Sequence, residues 1–438
     1  MMHGRLRLLV ALVALLTMVA SSVPWSATAT GPDLRLRPND GPAGSTTRAR
    51  GRDFAANATG VVIWAIDGSE LGRFESDDRG DFAVEIAIPA APAGTYTVIA
   101  RSGAEEASDT FEITTDPDAA ISPTPASALG TATSGAAPAA GPPSDACTTG
   151  FIRRIDVANA AELTAALADA RPGDLIWMAD GSYPGTFVAA TSGTAEARIA
   201  LCGSRNAVID GGDVRNGYAL HLTGDYWTVS GITITNALKG VMLDGADFTV
   251  LERLAVHEIG HEAVHFRTHS SDNVIRDSEI FDTGRKKAKF GEGVYIGSAV
   301  SNWGKYSDGE EDRSDRNQVL RNRIWNTTAE NIDVKEGTTG GLIAGNVLDG
   351  AGLTGADSWL DLKGNGYVVR ANAGTNSPAD GFQTHVIDDL PWGRDNLFDG
   401  NTAEVNGDGF GFSIHDPEES NNTVLCTNQV SGAEKGFA

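Results

Sequence analysis

Short apolar-alternating segments recur along the carboxy-terminal two thirds of the chain: Val241-Met-Leu243, Val264-His-Phe266, Val294-Tyr-Ile296, Ile332-Asp-Val334, Leu360-Asp-Leu362, Phe382-Gln-Thr384 and Phe412-Ser-Ile414. Each reads as a brief strand with its first and third side chains turned inward and its second turned out. A second series closes on asparagine: Asn322, Asn346, Asn372, Asn401 and Asn428, separated by 24, 26, 29 and 27 residues. That spacing is about one coil of a parallel β-helix, and asparagines stacked at a tight corner can hydrogen-bond along the axis. The pattern predicts an all-β chain whose residues 146–438 form a right-handed, single-stranded parallel β-helix. One helix is expected, Ala160 to Ala170, capped by Asn159 with Glu162 three residues on and stopped by Arg171-Pro-Gly173. It would cover the open amino-terminal edge of the solenoid.

Upstream the pattern differs. Alternating runs at Val61 to Ile66, Phe82 to Ile88, Tyr96 to Ala100 and Phe111 to Thr114, punctuated by Asp67-Gly68, Arg79-Gly80 and Ala93-Gly94, predict a small antiparallel β-sandwich over residues 31–115. It resembles the immunoglobulin-like modules appended to many secreted proteins and carries no catalytic constellation. Residues 116–145, rich in Pro, Ala, Ser and Thr, cannot bury a core and read as a linker. At the start, Arg5 and Arg7 precede an apolar run from Leu8 to Ala20 and small residues ending at Ala29. That run is too short to span a bilayer and predicts a signal peptide over residues 1–29, hence a secreted, extracellular protein.

Applied coil by coil, the strand register yields two outward columns. One reads Met242, His265, Tyr295, Asp333, Asp361, Gln383 and Ser413; beside it run Asp244, Arg267, Gly297, Lys335, Lys363, His385 and His415. Neighbouring coils lie about 5 Å apart, so Asp333 should stack on Asp361 and Lys335 on Lys363, an acid–base grid on an exposed face. Stacked lysines repel one another, and a solenoid without a ligand has no reason to keep them. The basic run Arg285-Lys-Lys-Ala-Lys289 leads into the Tyr295 strand, and the polar loop 298–316 offers Trp303 and Tyr306 as an aromatic wall for a sugar ring.

The formal net charge of -24 argues against nucleic acid as a partner, and no stretch after the leader reaches membrane length. An anionic ligand would then need a local cluster of cations or a bound metal. Of three cysteines, Cys147 and Cys202 are the preferred bridge, which leaves Cys426 over. A monomer is expected.

Such an array suits a linear acidic polysaccharide containing uronates. Elimination beside a uronate needs its carboxylate neutralised, a base for the C5 proton and a donor for the leaving oxygen. Ca2+ held by Asp333, Glu336 and Asp361 would meet the first need. Lys335, its pKa lowered by neighbouring cations such as Lys363 or Arg267, would be the base, with His385 or Tyr295 as the acid. His265, Trp303, Gln383 and His415 are the candidate substrate-binding residues.

Ala170-Arg-Pro-Gly-Asp174, Ile176-Trp-Met-Ala-Asp-Gly-Ser-Tyr183 and Val208-Ile-Asp-Gly-Gly212 resemble the opening coils of parallel β-helix polysaccharide lyases, the pectate lyase-like group that includes alginate and chondroitin lyases. The resemblance spans residues 147–438, and Asn331-Ile-Asp-Val-Lys-Glu-Gly337 is similar to an acidic-then-lysine strand that carries calcium ligands and base in some of them. It implies a polysaccharide lyase acting by β-elimination. Two rivals stand: a glycoside hydrolase on the same fold using Asp333 and Asp361, and a non-catalytic carbohydrate or cell-wall binding protein. His257-Glu-Ile-Gly-His261 matches a zinc-protease motif that works only on a helix, and its coil setting predicts turn residues instead.

Overall fold

The computed structural model describes residues 32–114, apart from 38, 43–44, 66–68, 90–93 and 104, and residues 147–438, apart from 388–389. The signal-peptide and linker expectations, and the turns at Asp67-Gly68 and Ala93, lie outside the described residues.

Residues 33–114 form a three-stranded and a five-stranded sheet, antiparallel except for one short edge pair. Leu34, Ala49 and Ile86 from one sheet and Val62, Phe74, Val98 and Phe111 from the other share one buried core. The strands Asp33–Arg37 and Thr46–Arg52 were not foreseen. The second buries only Thr47, Ala49 and Gly51 between outward Thr46 and arginines, so its alternation carries almost no hydrophobic signal.

Residues 153–433 wind into a solenoid of three parallel sheets with 11, 10 and 9 strands. Its core is the stacked inward residues. Val241, Leu243, Val264, Phe266, Val294, Ile296, Ile332, Val334, Leu360, Leu362, Phe382 and Phe412 are all fully buried. The helix spans Ala160–Ala168; Asn159 accepts the Glu162 N–H at 3.0 Å while the Glu162 carboxylate accepts that of Ala158 at 2.8 Å. Its Leu163 and Leu167 join the solenoid core at the amino-terminal end.

The asparagine series forms a continuous ladder. Each Nδ2 donates to the next Oδ1, Asn322 to Asn346 at 3.1 Å, Asn346 to Asn372 at 2.9 Å, Asn372 to Asn401 at 3.0 Å and Asn401 to Asn428 at 2.9 Å. Cys147 and Cys202 are bridged, and Cys426 is free and exposed. The carboxy-terminal coil, for which no cap was evident, carries Phe437 against Phe412 with ring centroids 5.5 Å apart.

Candidate functional site

The nine-stranded sheet holds the charged columns. Its register pairs Met242 with His265, His265 with Tyr295, Tyr295 with Asp333, Asp333 with Asp361, Asp361 with Gln383 and Gln383 with Ser413. The expectation of an exposed face is corrected, however. Asp333 is 1% exposed, and His265 and Arg267 are each 4% exposed. Loop 298–316 borders the sheet at its strand ends. It follows the Tyr295 strand and packs back through Asp312, whose carboxylate accepts the backbone N–H groups of Thr268 and His269.

The packing here overturns several assignments. Trp303 is buried, with its indole N–H on the Ser298 carbonyl at 2.9 Å, and so is no sugar platform. His265 is sealed beneath Tyr295, ring centroids 4.4 Å apart; its Nε2 donates to the Gly297 carbonyl at 2.9 Å, and burial, with Lys239 and Arg267 nearby, keeps the ring neutral. Gln383 is clamped between Asp380 and Ser358. Both His265 and Gln383 are buried. Glu336 is buried and accepts the Val300 N–H at 2.5 Å, so it anchors the loop instead of joining a metal site. Arg267 grips Asp244 through two bonds of 2.7 and 2.8 Å under the Tyr306 ring, 3.7 Å from its centroid. With side-chain-free Gly297 between them, it stands two coils from Lys335. His415 is exposed, beside Asp416 at 3.5 Å and 5.9 Å from the His385 ring.

At the centre the carboxylates and lysines interlock. Lys335 Nζ meets Asp333 at 2.6 Å, Lys363 meets both Asp361 and Asp333, the latter at 3.4 Å, and His385 Nδ1 bonds Asp361 at 2.7 Å. Burial by itself would depress the lysines, but Asp333 and Asp361 outweigh it for both, joined at Lys335 by Glu330, and hold them above the usual range. The expectation of a depressed Lys335 is therefore corrected: its nearest neighbours are anions, not cations. Asp361 is held low because Lys363 and His385 outweigh its burial, and the hydrogen bond to Asp361 raises His385. The metal assignment to Asp361 is corrected by the same contacts.

A third column escaped the sequence reading. Lys239, Glu262, Glu292 and Glu330 each lie two residues ahead of the first inward residue of their strand. Strict alternation would turn that position inward, so a period of two passes over it. The constant offset was the available signal. The main chain stacks the column: Gly240 donates to the Glu262 carbonyl, Ala263 to that of Glu292 and Gly293 to that of Glu330. Glycine suits this corner because a Cβ at Gly240 or Gly293 would lie 2.4 or 2.5 Å from a carbonyl oxygen of the next coil.

Carboxylate oxygens of Glu292, Glu330 and Asp333 lie within 4.8 Å of one another. Glu292 Oε2 is buried with no hydrogen-bond partner, as is Glu262 Oε2. Burial, then Glu262 and Asp333, pushes Glu292 well above the carboxylate range; burial, then Asp333 and Asp361, pushes Glu330 up to about 8. Three hard oxygen donors with an orphaned atom among them fit a calcium ion. Tyr295 is kept protonated by burial and by Asp333 and Glu292, and its ring centroid is 5.2 Å from Lys335 Nζ.

The zinc-protease motif is no site. His257 ends a strand and stacks on Phe281, Glu258 takes a left-handed turn, and His261 packs on Phe290.

A parallel β-helix whose one sheet carries stacked acids and lysines belongs to the polysaccharide-active solenoids. Residues 155–298 match the model of the Pel9A-like right-handed β-helix region. The alginate lyase from Paenibacillus sp. str. FPU-7 is 38% identical with a TM-score of 0.60, over 65% of this chain and 97% of that one. The chain belongs to this family of Pel9A-like right-handed β-helix proteins. Pectate lyase Pel9A is 19% identical over 66% of this chain and 79% of its own, with a TM-score of 0.44. A polygalacturonase from Erwinia carotovora ssp. carotovora is 9% identical over 68% and 98%, with a TM-score of 0.40. No curated protein matches. No described helix is long and apolar enough to cross a membrane.

Proposed function

We propose that this protein is an extracellular polysaccharide lyase that cleaves a uronate-containing polymer by β-elimination on the nine-stranded sheet. One observation carries the reading: the acid cluster Glu292, Glu330 and Asp333 adjoins Lys335, whose Nζ pairs with Asp333 at 2.6 Å, and Tyr295, the register neighbour of Asp333. The identity with an alginate lyase supports it, since alginate is a polyuronate.

Calcium held by Glu292, Glu330 and Asp333 would neutralise their charge and bind the uronate carboxylate, which acidifies the C5 proton. Lys335 is the proposed base. Its proton is held by Asp333, Asp361 and Glu330, so it becomes basic only once that negative charge is balanced. Neutral Lys335 takes the C5 proton, the C4–O4 bond breaks as the C4–C5 double bond forms, and the Tyr295 hydroxyl protonates the departing oxygen. Lys363 and His385 fix Asp361 and thereby the geometry of Asp333.

A hydrolase is the second reading, favoured by one feature: Glu330 stays protonated near neutrality, as a general acid must. The pair first considered for it, Asp333 and Asp361, is tied up by two lysines. Incubation with polygalacturonate, alginate and glycosaminoglycans separates the readings. New ultraviolet absorbance from an unsaturated uronate means elimination, reducing ends without absorbance mean hydrolysis, and binding without either means a docking protein.

A further inference from the structure

Most cations of the solenoid are spoken for. Arg153, Arg253, Arg276, Arg316, Arg321, Lys335 and Lys363 all pair with carboxylates, as befits a chain of net charge -24. The run at 285–289 is different. Arg285 pairs with Glu258 at 2.7 Å, but Lys286, Lys287 and Lys289 are exposed and, among the described residues, none has a carboxylate within ion-pair distance. Lys286 bonds only the Arg215 carbonyl, while the Lys287 and Lys289 ammonium groups lie 4.4 and 5.0 Å from the centroid of the half-buried Phe290 ring.

The loop is also firmly placed. Arg285 and Lys286 donate backbone N–H groups to the carbonyls of Ile259 and Gly260, the Ala288 carbonyl accepts the Thr328 hydroxyl at 2.8 Å, and Phe290 packs on His261. Glu292 follows two residues later, and Glu262 and Glu330 neighbour His261 and Thr328. The loop therefore borders the acid column at the strand starts, across the sheet from loop 298–316 at the strand ends. Three like charges clustered side by side are unfavourable, and a polyanion laid along them would relieve that repulsion.

We propose that Lys286, Lys287, Lys289 and Phe290 form an anion-binding wall that captures uronate units of the polymer outside the catalytic cluster, the lysines pairing with carboxylates and the ring lying against a sugar face. The inference rests on the polyuronate reading of the site. It makes the protein selective for long anionic chains over short ones, because a chain spanning wall and centre gains contacts a short oligomer cannot make.

The test uses the full chain and a variant with Lys286, Lys287 and Lys289 all changed to Ala, with Lys435→Ala as a charge control. Turnover is measured on polymeric alginate or polygalacturonate, whichever is cleaved, and on its shortest cleaved oligomer; binding to the polymer is measured separately with Lys335→Ala. The triple variant is expected to raise KM for the polymer about tenfold or more at low salt, with kcat and short-oligomer turnover unchanged, and the difference should shrink as salt rises. An unchanged polymer KM and unchanged polymer binding would overturn the wall while leaving the lyase intact. If no substrate is cleaved but the lysines still govern polyuronate binding, the catalytic reading falls and the wall stands.

Discussion

Replacing Glu330 by Gln tests the electrostatics of the acid triad directly. Gln keeps the shape and removes the ionisation. In the folded protein Glu330 holds its proton up to about 8, whereas in the unfolded chain the carboxyl ionises near 4.5. Between those values the unfolded state releases a proton that the folded state retains, so this residue's contribution to stability is intact at low pH and is lost as pH rises. The full interval would be worth about 5 kcal/mol at about 1.4 kcal/mol per pH unit. Partial solvent contact and the neighbouring Glu292 reduce this, and about 2 kcal/mol is the expected difference, or about 3 °C in melting temperature for a solenoid of this size. Melting is followed by circular dichroism in chelator, at mildly acidic and mildly alkaline pH, with and without added calcium. Wild type should lose more stability than Glu330→Gln on going alkaline, and calcium should restore wild type more than the variant. Parallel pH profiles for the two proteins, or an equal response to calcium, would refute the reasoning.

Asn372→Ala removes a side chain that donates to the Ile343 carbonyl and Asn401 and accepts from both nitrogens of Asn346. Four buried bonds at about 1 kcal/mol each predict a loss of about 4 kcal/mol, read by urea unfolding. Reducing the Cys147–Cys202 bridge, which closes a loop of 55 residues, should cost about 4 kcal/mol in the same assay. Lys335→Ala should abolish turnover and also lower the melting temperature, because it strips buried Asp333 of its 2.6 Å partner, and Lys363→Ala, which releases Asp361 and Asp333, should likewise lower both. Chelation should move the rising limb of the pH–rate profile to higher pH, because Asp333 and Glu330 then hold the Lys335 proton more tightly.

The coil repeat, the asparagine ladder, the helix cap and the alignment of Asp333 with Asp361 were legible because each depends on a local period. Burial was not. A period of two says which side of a strand a residue faces, but His265 is covered by Tyr295 of the next coil and Asp333 by Lys335 and Lys363, contacts that a single strand's alternation does not report. Charge states were hidden as well: Lys335 answers to Asp333 and Asp361, which its own column places beside it, more than to the neighbouring cations, and Glu330 adds to them from a corner where alternation breaks. Trp303 shows the limit of composition, since an aromatic in a polar loop can as readily anchor the loop as line a ligand site.

The central claim is elimination on the nine-stranded sheet. Its most direct test follows ultraviolet absorbance and reducing ends together while the wild-type protein and Lys335→Ala act on alginate and polygalacturonate in the presence of calcium. Absorbance rising in step with reducing ends for wild type, and flat for the variant, is the predicted result. Reducing ends without absorbance, or equal absorbance from both proteins, would contradict it.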